Sequence, residues 1–287
     1  MSESRKKVTT RTLAKMKQER EPIAMITAYD YPTAMIAEQA GADLLLVGDS
    51  LGMVVLGYDS TIPVTLDDMI HHTKAVTRAA KHSMVIADIP FMLAHLSKDE
   101  VLRAGARLMQ EARAYGVKLE GGSEIISNIQ ALTMAGIPVM GHLGLTPQSV
   151  NQLGGYLVQG KDVETAQRLL EEAKGLEEAG VFSLVLECVP EELAQMIAES
   201  IHIPVIGIGA GRYCDGQVLV IHDVLALGGD WHPSFVKVYG EIGKAMKQGV
   251  QTYVQEVKQR AFPEASHVSH LSSDLIEQLY GSKEGDK

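Results

Sequence analysis

Four short apolar runs, LLLVGDS (44–50), MVIADIPF (84–91), GVKLEGG (116–122) and SLVLECVP (183–190), each carry an acid at or near their carboxyl end: Asp49, Asp88, Glu120 and Glu187. A carboxylate at the end of a buried strand is costly unless something positive meets it. One such ending is within chance; four along one chain imply that several strands deliver acids to a common point. Hard oxygen ligands around a divalent cation, with one carboxylate left over for proton transfer, are the most economical account.

Working outward, further apolar runs occur at IAMITAY (23–29), IPVMGH (137–142), IPVIGIG (203–209) and QVLVI (217–221). Most of the runs are uniformly apolar, as parallel strands buried on both faces are. Between them lie segments with apolar residues at three-to-four spacing, 32–41, 65–80, 98–115, 164–180 and 190–200, which predict helices. Gly41, Gly116, Gly136 and Gly180 read as their terminators. Eight strands alternating with helices predict an α/β fold, a (β/α)8 TIM barrel, with a doubly wound open sheet as the rival. The strand count and the length of 287 residues favour the barrel, as one domain over 1–287. RTLAKMKQ within about 10–20 predicts a helix capping one end. From Phe235 a long helix is expected over VKVYGEIGKAMKQGVQTYVQEVKQR, ended by Pro263. The tail after about 264 is polar apart from an amphipathic patch at LIEQLY.

The formal charge of -10 argues against broad contact with a phosphate backbone, so nucleic acid is not an expected partner. No apolar stretch reaches membrane-spanning length. The basic start lacks the apolar core of a secretory signal, and two cysteines, Cys188 and Cys214, are too few for a disulfide framework or a zinc cage. A reduced, cytoplasmic setting is the expectation. Cys188, beside Glu187, reads as a small half-buried side chain rather than a catalytic thiol.

In a barrel of this kind the chemistry sits at the carboxyl ends of the strands, where the four acids fall. Ser50 follows Asp49 and offers a hydroxyl to a substrate oxygen. Lys118 and Glu120, two apart on one strand, share a face. His142 closes the next strand. Each has a plainer reading: Asp49 or Asp88 as a turn former, Lys118 and Glu120 as a structural ion pair, Glu187 as a helix cap. The adjacent His71 and His72 point about 100° apart on a helix and cannot chelate one ion together. No HExxH occurs, and GIGAG (207–211) lacks the GxGxxG spacing, so its glycines read as a place where backbone approaches a ligand.

With these residues the sequence resembles the ketopantoate hydroxymethyltransferase family. The likeness is carried by MITAYDYPTA, LLLVGDSLGMVVLGYDSTIPVTLDDMIHHTKAV, ADIPF, VKLEGG, GHLGLTPQS, GGYLVQGK, VLECVP and GIGAGRYCDGQVLVIHD, across nearly the whole chain. The resemblance implies a Mg2+-dependent barrel that condenses 3-methyl-2-oxobutanoate with 5,10-methylenetetrahydrofolate to give 2-dehydropantoate, in pantothenate biosynthesis. It implies Asp49, Asp88 and Glu120 as metal-associated acids and Asp49, Ser50, Asp88, Lys118 and His142 as keto-acid contacts. Glu187 takes the position of the proton acceptor, and a homo-oligomer, a decamer, is implied. After ADIPF the chain departs from the family's small residues and tyrosine, with Met92, Leu93, Ala94 and His95 instead. The nearest rival is a lyase or phosphonomutase of the isocitrate-lyase type, which often needs a loop cysteine not found here. A barrel that only binds a metal or anion is the other, and it would have no use for a fourth carboxylate such as Glu187.

Overall fold

Successive side chains of a strand face opposite ways, and in this protein both directions lead into apolar surroundings. The computed structural model describes residues 5–229 and 232–281. Its strands are β1 (Ile23–Thr27), β2 (Leu44–Val47), β3 (Met84–Asp88), β4 (Gly116–Glu120), β5 (Val139–Gly144), β6 (Ser183–Glu187), β7 (Val205–Ile208) and β8 (Gly216–Leu219). All eight match predicted runs. Every neighbouring pair is parallel, and β8 pairs with β1, so the sheet closes into a barrel.

The helices are α1 (Thr10–Glu19), α2 (Tyr31–Ala40), α3 (Leu51–Val54), α4 (Leu66–Ala79), α5 (Lys98–Gln110) and α6 (Ile126–Met134). They continue as α7 (Val150–Leu153), α8 (Val163–Glu178), α9 (Glu191–Ser200), α10 (Ile221–Val224), α11 (Ile242–Gln259) and α12 (Ser273–Tyr280). Outward strand residues such as Leu45, Val85, Val117, Val139 and Leu184 pack with the helices in one cluster. Inward residues Met25, Leu46, Ile86, Met140, Val185, Ile206 and Val218 form a second cluster inside the barrel.

Leu13 and Met16 of α1 belong to that inner cluster, so this helix closes the amino end of the barrel as expected. Thr9 and Thr12 form a capping box at its start. Lys17 Nζ reaches Asp215 Oδ2 at 2.7 Å and the Ala198 carbonyl at 2.9 Å, tying the helix to the end of α9 and to the turn before β8. Burying a leucine such as Leu13 stabilises by about 1.5–3 kcal/mol.

Glu38 of α2 accepts the backbone N–H groups of His82 and Ser83, both at 2.9 Å, and so fixes the entry to β3. Burial alone would raise its pKa, but these donors outweigh burial and hold it below the usual carboxylate range. A depressed folded-state pKa gives stability that is present above about 4.3 and lost as pH falls through the lower, folded value. Because the site is partly exposed, Glu38→Gln will cost about 1 kcal/mol or less at neutral pH. Thermal melts should show the gap between wild type and variant closing as pH falls below 4.3 (about the free-carboxylate value).

Two expectations need correction, and one helix lies outside the predicted segments. Gly116 ends no helix: α5 stops at Gln110, and Gly116 is the first residue of β4, where a Cβ would meet the Pro138 carbonyl oxygen at 2.5 Å. The last long helix starts at Ile242 rather than at Phe235. Backbone N–H groups of Tyr239 and Ile242 bond instead to the carbonyls of Val224 and Leu225, which holds the preceding segment against α10. The unforeseen α6 places Asn128 on its buried side, where Nδ2 donates to the carbonyls of Ala94 and Leu96. A polar residue on the packed face hides helical periodicity. LIEQLY lies within α12, and residues 282–287 fall outside the described chain.

Candidate active site at the carboxyl ends of the strands

Inward parity continues past the apolar layers and delivers polar groups at the far end. On β3, Met84 and Ile86 face the barrel interior, and Asp88 follows in step. Pairing sets Asp88 beside Lys118, Glu120 beside His142, and Gly144 beside Glu187. Asp49 lies two residues beyond β2. Asp49, Asp88, Lys118, Glu120 and His142 are all buried. The Glu187 side chain is the more open one, 14% exposed.

Lys118 sits among the acids. Its Nζ is 3.1 Å from Asp88 Oδ1, 3.8 Å from Glu120 Oε1 and 3.2 Å from His142 Nδ1. Burial would strip its charge, but Asp88, Glu120 and Asp49 outweigh burial and hold its pKa above the ordinary lysine value. Asp49 is pushed well above the carboxylate range by burial first, then by Asp88 and Glu120. Asp88 is raised by burial, with Lys118 opposing. Glu120 goes the other way: burial is outweighed by His142 and Lys118.

His142 links the interior to Glu187, its Nε2 lying 3.3 Å from Glu187 Oε2 and its Nδ1 3.5 Å from Glu120 Oε1. Burial and Lys118 lower its pKa, but the two carboxylates outweigh them and raise it to about 9. These influences conflict at Nδ1. Nδ1 thus faces both the Lys118 ammonium and the Glu120 carboxylate, while Nε2 faces Glu187 without a formed hydrogen bond.

The structure therefore brings together every residue singled out from the strand ends. Ser50 stands at the edge of the group, its Oγ 2.8 Å from the hydroxyl of buried Tyr29. Gln148 was not singled out, yet it joins the two sides: Nε2 donates to Asp49 Oδ2 at 2.8 Å and its backbone N–H to Glu120 Oε2 at 2.9 Å. Its only sequence signal is its place in GHLGLTPQ, as Tyr29's is its place in MITAYDYPTA. Cys188 is no nucleophile, because burial and then Glu187 raise its thiol to about 11. Of the departing segment, Met92 is exposed, and His95 lines a separate groove with Gly121, Glu124 and Glu172.

Among the described residues no group of three or more His, Cys, Asp or Glu side chains is set out to hold a metal ion. Glu120 already has both oxygens engaged, by the Gln148 N–H on one side and by Lys118 and His142 on the other. Asp49 and Asp88 differ. Asp88 Oδ1 faces Lys118 Nζ at 3.1 Å with no further contact, and burial and the neighbouring acids oppose a negative charge on Asp49. Two hard carboxylates in that condition suit Mg2+, which is usually held by one or two carboxylates with water and substrate oxygens.

A closed parallel barrel with a lysine, a histidine and four acids gathered at the carboxyl ends of its strands has the form of a barrel enzyme. The family model for ketopantoate hydroxymethyltransferase matches residues 7–265. A 3-methyl-2-oxobutanoate hydroxymethyltransferase from Carboxydothermus hydrogenoformans is 57% identical over 274 residues, covering 96% of this chain and 99% of that one. One from Halalkalibacterium halodurans is 57% identical over 273 residues, covering 95% and 98%. The chain belongs to the ketopantoate hydroxymethyltransferase family and is an enzyme, a hydroxymethyltransferase.

Solved structures show the same fold at much lower identity. Phosphonopyruvate hydrolase, in a complex with oxalate and Mg2+, aligns with a TM-score of 0.59 at 14% identity, covering 96% of this chain and 95% of its own. A 2,3-dimethylmalate lyase of the PEP mutase/isocitrate lyase superfamily gives 0.57 at 14%, covering 96% and 92%. These likenesses establish the architecture alone. The isocitrate-lyase type thus shares the barrel, while the sequence relatives carry the family.

Proposed function

We propose that this enzyme transfers a hydroxymethyl group from 5,10-methylenetetrahydrofolate to C3 of 3-methyl-2-oxobutanoate, giving 2-dehydropantoate and tetrahydrofolate with one water consumed. The observation that carries this reading is the convergence of Asp49, Asp88, Lys118, His142 and Glu187 at one barrel mouth in a chain so close to named hydroxymethyltransferases. Asp49 and Asp88 would hold Mg2+, with Glu120 one layer behind, keeping Lys118, His142 and Gln148 in place. When bound, the ion supplies Lewis-acid stabilisation to charge developing on the keto oxygen.

The protein's own groups do the remainder. Glu187, at the open side of the cluster, accepts the C3 proton as general base. His142, its Nε2 3.3 Å from Glu187 Oε2, orients that carboxylate. Lys118 offsets the charge of the substrate carboxylate, and Ser50, backed by Tyr29, donates to a substrate oxygen. The C3 carbanion then forms the new carbon–carbon bond to the carrier's methylene carbon, whose two bonds to carrier nitrogens break; water supplies the hydroxyl and one of the protons those nitrogens take up, and Glu187 returns the other.

Among the described residues no helix is long and apolar enough to cross a membrane. An exposed apolar stripe on α11, with Met246, Val250, Tyr253 and Val257, suits contact with further copies of this chain in a homo-oligomer. Incubation with Mg2+, the keto acid and methylene-folate should yield the hydroxymethylated acid by mass spectrometry, and chelation by EDTA should abolish it. Full turnover in EDTA would sink the metal assignment, and absence of product with Mg2+ the reaction itself.

A further inference from the structure

The mouth of the barrel has an apolar rim that the keto acid cannot use. Met53, Tyr58 and Tyr156 are 37%, 41% and 53% exposed, although each belongs to a loop leaving the catalytic strands. Large exposed apolar groups gathered at the opening of a charged pocket mark a ligand contact.

Their placement is fixed by the backbone. Met53 lies in α3, its N–H bonded at 3.0 Å to the carbonyl of Ser50, which follows Asp49. Tyr58 folds back so that its N–H bonds to the Gly52 carbonyl at 2.8 Å, and a Cβ on Gly52 would come within 3.4 Å of the Tyr58 ring. Tyr156 arrives from the far side, on the loop after β5. Gly154 at φ +74° and Gly155 at φ +128° let that loop turn where other residues would be strained. Gln159 N–H then fastens it to the Cys188 carbonyl at 2.9 Å, next to Glu187.

The Tyr156 hydroxyl meets Met53 Sδ at 3.6 Å, so loops from β2 and β5 touch across the opening. Burial, then Glu187, Asp49 and Glu120, raise the pKa of that hydroxyl, as expected of a group within the field of the acids. The rim borders the acid cluster on both sides, Met53 bonded to Ser50 beside Asp49 and the Tyr156 loop to Cys188 beside Glu187.

We propose that Met53, Tyr58 and Tyr156 form the platform that receives the ring system of the one-carbon carrier, beside Glu187. This rests on the reaction proposed above. The keto acid is small and anionic, and its polar atoms are matched by Lys118, Ser50 and the aspartates. The carrier is broad and largely aromatic, and its methylene group must come to about 3–3.5 Å from C3. A ring lying between a thioether and tyrosine faces gains stacking and sulfur–aromatic contacts without needing charge.

The test compares wild type with Tyr156→Ala and Tyr156→Phe. Tetrahydrofolate is titrated by pterin fluorescence, and steady-state kinetics are run with methylene-folate. Tyr156→Ala will weaken tetrahydrofolate binding about tenfold and raise KM for methylene-folate to match, with kcat changed less; Tyr156→Phe will stay near wild type. Exchange of the keto-acid C3 proton, measured without carrier, will remain within about twofold in both, because that half-reaction needs Glu187 and not the platform. Unchanged tetrahydrofolate affinity in Tyr156→Ala overturns the proposal, and so does a change confined to the sedimentation of the oligomer, which would assign the rim to a second copy of this chain. Loss of C3 exchange in step with binding would move Tyr156 into the keto-acid site. A wild-type enzyme that shows neither exchange nor tetrahydrofolate binding would instead defeat the reaction, and the platform with it.

Discussion

Glu187→Gln will cost about 10²- to 10⁴-fold in turnover while leaving the keto acid and Mg2+ bound, because glutamine keeps the shape of the side chain and loses only its basicity. The assignment follows from position. Asp49, Asp88 and Glu120 are buried, and each has at least one oxygen bonded to a backbone or amide N–H or lies against Lys118. Glu187 ends β6 with its side chain 14% exposed, touching the ring of His142 and otherwise facing the mouth. It is the carboxylate free to meet a C–H bond of a substrate held lower in the barrel. Exchange of the C3 proton into deuterated water, followed by NMR in the absence of carrier, reads this step alone. Exchange at the wild-type rate in the Gln variant would take the base assignment from Glu187. Loss of keto-acid binding would show that the residue positions substrate instead.

The eight strands were legible because burial on both faces leaves an uninterrupted apolar run, and the structure encloses each run between the helices and the barrel interior. The same parity made the acids legible: on β4, inward positions hold Lys118 and Glu120, so two functional side chains declare themselves by spacing. Gln148 was not, because its contacts to Asp49 and Glu120 depend on the turn after β5 folding back over the cluster, which no local pattern encodes. Nor was the central position of Lys118, whose three neighbours come from β3, β4 and β5. The start of α11 was misjudged because Val236, Val238 and Tyr239 sustain an apolar pattern, while bonds to α10 prevent the helical ladder from forming there. Local propensity yielded to tertiary hydrogen bonding at that point.

Lys118→Met will be the most destabilising single change at this site, by about 3–5 kcal/mol near neutral pH, because it leaves buried carboxylates facing one another without a cation. In the wild-type arrangement Asp49 and Asp88 already have raised pKa values, and Lys118 works against that rise at both. Its removal sends them higher. A carboxylate whose folded-state pKa exceeds its unfolded value gives stability that is complete below about 3.9 and is lost as pH rises through the folded value. The deficit of the variant will thus be small in acid and grow as pH rises. Mg2+ separates two explanations of the defect. If Asp49 and Asp88 hold the ion, it binds the folded state and will restore much of the melting temperature as its concentration passes its dissociation constant. Calorimetric scans at several pH values, with and without Mg2+, make the comparison. A deficit that is constant with pH would show that methionine merely packs badly, and a melting temperature indifferent to Mg2+ would remove the ion from these two aspartates.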